Sequence, residues 1–142
     1  MSKRDISFYV IDLFIAIDKV ERYTQQFNSA EELLYHEMAW DATIRELEII
    51  GEATKHLLKA ELIPKYYRRI VDFRNQINHA YFGIDENIVW NVVRDKLHSY
   101  KDDLVAIIIS ENISLQDAIS SMREDKLSND HILMVLLELE KL

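Results

Sequence analysis

Between Phe73 and Asp85 the chain places an arginine (Arg74), two asparagines (Asn75, Asn78), a histidine (His79) and a tyrosine (Tyr81) within eight residues. By type, an arginine offers a forked set of donors that grips phosphate or carboxylate. A histidine titrates near neutrality and so can take up or release a proton there. The surroundings lean the same way: Lys65, Arg68, Arg69 and Arg74 stand against one acid, Asp72. On a chain of net charge −8 this is a local patch, suited to a few phosphates and not to coating a long duplex. Each residue also has a structural reading. Arg74 could pair with Asp72 or Glu52, His79 could satisfy carbonyls at a helix C-terminus, and Tyr81 with Phe82 could be core. Charge alone equally fits a solvated helix face.

Helical geometry constrains the pair. At 3.6 residues per turn, positions five apart lie about 140° from each other around the axis. Arg74 and His79 therefore cannot share one face of a regular helix, whereas Asn75 and His79, four apart, can. Either the helix bends or ends near Asn78–His79, or a second subunit completes the site.

The elements that must hold these residues are helices. Two glycines and one proline in 142 residues leave too little turn material for a chain of short strands. Apolar residues recur at helical spacing over about 6–27 (Tyr9, Val10, Leu13, Phe14, Ile17, Val20). Ser29 with Glu32 is a capping-box start for a helical stretch reaching about Leu62, broken near Tyr35–His36. Pro64 opens the segment that carries the motif, with Gly83 as its stop. Asp85 is placed to cap a long helix to about Ser110. After Asn112 two shorter helices are expected, one opened by Ser114 with Asp117 and one by Ser128–Asn129. The run Ile132–Leu137 is too apolar for a solvated helix and must pack on the body or on another chain. Trp40 and Trp90 are read as core. The expected fold is all-α: an up-and-down bundle of four or five helices over residues 1–110, with a helical extension over 111–142 serving oligomer or partner contact.

Several function classes are excluded or disfavoured. There is no cysteine, so no disulfide, thiolate zinc site or cysteine nucleophile. The other histidines (His36, His56, His98, His131) lack ligand spacing, so no metal and no cofactor is expected. The apolar stretches 8–17 and 104–109 fall short of the ~20 residues that span a bilayer, and the N-terminus lacks a secretory core. The expectation is a cytoplasmic protein with no membrane role.

The spacing Arg74-x-x-x-x-His79-x-Tyr81, with polar Asn75 next to the arginine, resembles the signature of the HEPN superfamily, and its HepT-like branch in particular. Ile50-Gly51-Glu52-Ala53 is similar to that branch's I-G-E-A helix, and 81–90 is similar to the stretch after its histidine. The likeness covers most of residues 5–110. It departs at Tyr66–Tyr67, where relatives often carry a tryptophan, and it does not extend past Glu111. The resemblance implies an RNA-cleaving toxin that uses the neighbouring 2′-hydroxyl and no metal. His79 is then the general acid or base and Arg74 the phosphate grip. Asn75, Asn78, Glu52 and Arg69 support them or bind RNA. It further implies two-fold dimers or a higher oligomer, and an MntA-like nucleotidyltransferase antitoxin that attaches AMP to Tyr81, which would block the cleft and cancel its positive field. The alternatives are a non-catalytic HEPN subunit that binds nucleotide or substrate beside a nucleotidyltransferase, and a purely structural adaptor in which Arg74 is spent in a salt bridge.

Overall fold

The apolar stripe of the first segment needs a covered face, and the fold is built around it. In the computed structural model, which describes residues 3–79, 83–124 and 129–142 (backbone alone for Lys3, Arg4 and His79), α1 spans Lys3–Thr24. Its Val10, Leu13, Phe14, Ile17 and Val20 are all buried. At about 1.5–3 kcal/mol each, such side chains dominate the local energetics. Among the described residues every regular element is helical.

The Ser29 half of the capping box forms, while Glu32 reaches one residue further back than Ser29. The Ser29 hydroxyl accepts from the Glu32 N–H at 3.2 Å, and the Glu32 carboxylate accepts in return from the Asn28 N–H at 2.6 Å. These bonds start α2 (Ala30–Tyr35). The expected break at Tyr35–His36 is present and has a cause: His36 Nδ1 accepts from the Ala39 N–H at 3.2 Å and so acts as the N-cap of α3 (Glu37–Lys59). The helix α3 closes in a Schellman turn, Leu62 N–H to Leu57 O and Glu61 N–H to Leu58 O, with Glu61 at φ 57°.

Pro64 leads into a 3₁₀ turn (Lys65–Tyr67) and then α4 (Arg68–His79). The side chain of Asp85 caps α5 (Glu86–Asn91) by accepting from the Asn87 N–H. The chain continues without interruption through a π-helical segment (Val92–Lys96) into α6 (Leu97–Ser110). Asn112, at φ 51°, ends α6 in a second Schellman turn. Last come α7 (Gln116–Arg123) and α8 (Asp130–Glu140).

The helix α3 is central, with α1 along one side and α4 along another. The π-helical segment presents Arg94, whose guanidinium donates to the carbonyls of Thr24 and Phe27 and lies 4.2 Å from the Trp90 ring. That fastens α5–α6 to the C-terminal end of α1. Residues 111–142 contribute α7 and α8, which lie against α1. Val135, Leu136 and Leu139 are buried there, while Met134 and Leu137 stay 60% and 49% exposed.

Three local expectations are corrected. The first helix ends at Thr24, before Phe27. Ser114 does not cap α7: Leu115 holds the N-cap position without a side-chain bond, and the Ser114 carbonyl instead accepts from the Ser7 hydroxyl at 3.0 Å. The expected helix stop at Gly83 adjoins residues 80–82, which lie outside the described residues. Trp40 and Trp90 are partly buried against the core, with neither in its interior. Of the expected cap Ser128–Asn129, Asn129 caps α8 through Oδ1 and the Ile132 N–H; Ser128 lies outside the described residues.

Candidate active site

The geometry begins with Gly51. An added Cβ there would stand 2.3 Å from the Cβ of Arg74 and 2.6 Å from its Cγ. The glycine in the middle of α3 is therefore a seat for the Arg74 stem, and it lets α4 cross α3 at very short range. The next residue, Glu52, meets the head of the same side chain, its Oε2 lying 3.1 Å from Arg74 Nη2. Arg74 Nη1 donates to Asn75 Oδ1 at 3.1 Å. One arginine is thus fixed at its stem by a missing side chain, and at its head by a carboxylate from one helix and an amide from its own.

The pair is not buried away. The Arg74 and Glu52 side chains keep 26% and 43% of their exposure, so by itself it contributes no more than about 1 kcal/mol. The guanidinium carries more N–H donors than these two partners occupy. Its Nε–H is buried with no hydrogen-bond partner among the described residues. Arg74, Glu52, Arg45 and Asp12 line a cleft of about 240 Å³ between α1, α3 and α4. Burial pushes the Asp12 carboxyl above the ordinary carboxylate range. Arg45 is ion-paired with Glu48 at 3.4 Å.

Behind Glu52 stands a residue that sequence reasoning set aside. His56 Nε2 lies 3.3 Å from Glu52 Oε1, one helical turn along α3. The imidazole stacks on Tyr9 of α1 with 4.1 Å between centroids and 10° between planes. Tyr9, His56, Glu52, Arg74 and Asn75 form one chain of contacts across three helices. The four-residue step from Glu52 to His56 was a legible signal; the Tyr9 stack requires the tertiary fold.

The other sequence candidates are placed as follows. The helix α4 is α-helical up to His79, where this described segment ends. Position 79 lies about 140° around the axis from Arg74 and about 40° from Asn75. Asn78 is exposed, about 40° from Arg74 on the other count. Arg69 is not brought to the cluster; its guanidinium sits 5.1 Å from the Tyr66 ring on a different side of α4. Tyr81 lies outside the described residues. Among the described residues no three His, Asp or Glu side chains gather as a metal-holding group, and no helix is long and apolar enough to cross a membrane.

Comparison with known proteins bears on this same region. The family model described as "Ribonuclease HepT-like" matches residues 13–107, a span that includes Gly51, Glu52, His56 and all of α4. The chain is 32% identical over 107 residues to a Methanocaldococcus jannaschii protein named "Putative RNase MJ1380", covering 73% of this chain and 97% of that one. It is 34% identical over 102 residues to "Probable ribonuclease HepT" of Thermococcus cleftensis, covering 70% and 92%. No solved structure matches the chain at a significant level.

Proposed function

This chain belongs to the HepT-like ribonuclease family, and we propose that within it the chain acts as a metal-independent endoribonuclease, the toxin of a toxin–antitoxin pair. The observation that carries the reading is the seat of Arg74: stem on Gly51, head between Glu52 and Asn75, spare donors at a cleft. In this reading Arg74 binds the phosphate and stabilises charge growing on its oxygens. The 2′-hydroxyl attacks phosphorus as the bond to the 5′-oxygen breaks, leaving a 2′,3′-cyclic phosphate and a 5′-hydroxyl. His79 takes the proton from the 2′-hydroxyl or gives one to the departing oxygen. Asn75 and Asn78 orient the histidine or the phosphate, and Glu52 orients Arg74.

On a straight α4 the reading becomes a claim about assembly. With positions 74 and 79 on different sides of one helix, a single phosphate is served by Arg74 of one copy and His79 of another, which is a homodimer with a shared cleft. Mixing two inactive variants tests this. Arg74→Ala and His79→Ala, co-refolded, should regain about a quarter of wild-type cleavage, since half of the dimers carry one intact composite site of two. Recovery no greater than either variant alone would remove the shared site.

The partner part of the reading is an MntA-like nucleotidyltransferase that transfers AMP to the Tyr81 hydroxyl. An anion so close to His79 would repel the RNA phosphate. The chain would work in the cytoplasm, where RNA and nucleotide are both present.

A second reading has its own observation. Arg74 is engaged with Glu52 in an ordinary ion pair, which suits a purely structural adaptor in which the arginine is spent. Such a protein would show neither nucleotide binding nor RNA cleavage.

A further inference from the structure

The helix α4 has a second face with a larger cleft. A groove of about 670 Å³ runs between α4 and the continuous helix formed by α5, the π-helical segment and α6. At its start stands Tyr66, 53% exposed. Its ring is held edge-on against Tyr67 (5.2 Å, 81°), and Tyr67 in turn stacks on buried Tyr100 (4.3 Å, 25°) and donates its hydroxyl to Asp103. A surface aromatic braced in this way loses little freedom when a flat ligand settles on it. The planar Arg69 guanidinium lies over the ring, 5.1 Å from its centroid, so the two already form a stack that a base can extend.

The remaining walls say what the ligand is. Ile70, Phe73 and half-exposed Ile88 supply apolar surface, while Gln76 and Asn91 supply amide edges. Charge is mixed: Asp72, Asp95 and Asp103 against Arg69 and Lys96. A track for phosphates would be basic throughout, and this groove is not. It suits an uncharged planar base with amino groups for the carboxylates, and Lys96 left for a flanking phosphate. The π-helical segment forms part of the wall, and such segments recur at functional sites.

Position along α4 ties the groove to the motif. Gln76 lies about 60° and Asp72 about 20° around the axis from position 79, while both are about 160° from Arg74. The groove therefore opens on the side of α4 that carries position 79, about 15 Å along the axis from Arg69. A smaller recess shares Phe73, Gln76 and Ile88 and carries the groove on to Gly83–Asp85.

We propose that this groove is a nucleobase subsite, in which Tyr66 and Arg69 stack one unpaired base of the RNA and the Asp72 and Asp95 carboxylates favour a base bearing an exocyclic amino group over uracil. The inference rests on the ribonuclease reading. Its test uses the full chain and short single-stranded RNAs in which one abasic nucleotide is moved along the strand. For wild type, one abasic position should raise KM about tenfold, with kcat within about twofold, and uracil there should be bound less well than cytosine. Tyr66→Ala should show the raised KM on intact RNA and no further loss at the abasic position, while Tyr66→Phe should behave as wild type. An unchanged KM for Tyr66→Ala, or a loss spread evenly over every abasic position, overturns the subsite while the ribonuclease reading stands. If wild type neither binds nor cleaves any of these RNAs, both fall.

Discussion

Arg74→Ala will lower the rate of RNA cleavage by about a hundred- to a thousandfold while leaving the bundle folded. The rate loss is the size expected when a fixed donor to a charge-developing oxygen is removed. The folding cost is small because the side chain's ion pair with Glu52 is open to water. Arg74→Lys separates charge from geometry. It keeps the charge but loses the fork that meets Glu52, Asn75 and a phosphate together, so it should recover only part of the rate. Single-turnover cleavage beside a thermal melt measures both. A variant that is as active as wild type would assign Arg74 to the ion pair alone.

Gly51→Ala is the second large effect, and its sign is informative. In an ordinary mid-helix site the change would stabilise by about 1 kcal/mol. Here the new methyl meets Arg74 Cβ at 2.3 Å and Cγ at 2.6 Å. Those atoms sit next to the α4 backbone and cannot swing aside, so the helix itself must shift. Overpacking of this kind costs about 1–3 kcal/mol, which outweighs the propensity gain. Displacing Arg74 by about 1 Å is enough to cost a hundredfold in rate. The expectation is a lower melting temperature together with a larger loss of cleavage than stability alone explains. A more stable, fully active Gly51→Ala protein would show that the close crossing of α3 and α4 has no part in the site.

Much of this arrangement could be read along the chain because it is local. The Ser29 half of the capping box, the break at His36, the Asp85 cap and the Asn129 cap depend on residues within four of each other, and all are present. Of the two carboxylates open to Arg74 as plain ion-pair partners, Asp72 and Glu52, the structure joins it to Glu52 at 3.1 Å. What could not be read was set by distant contacts. Ser114 looked like a cap until its carbonyl met Ser7, 107 residues earlier. His56 looked idle until α1 brought Tyr9 onto its ring. The π-helical segment has no signature in the periodicity, and the docking of its Arg94 on the end of α1 joins residues about 70 apart. Of the choice between a helix that bends or ends near Asn78–His79 and a second chain, the structure shows α4 as helix up to His79, the last described residue of that segment.

The most direct test of the account is purified full-length protein incubated with single-stranded RNA in excess EDTA, wild type beside His79→Ala, with the ends of the fragments identified. The account predicts that wild type cleaves under these conditions and leaves 2′,3′-cyclic phosphate and 5′-hydroxyl ends. His79→Ala, folded and equally abundant, should be slower by about a hundredfold or more. Cleavage by His79→Ala at the wild-type rate, or wild-type cleavage that EDTA abolishes, would contradict it.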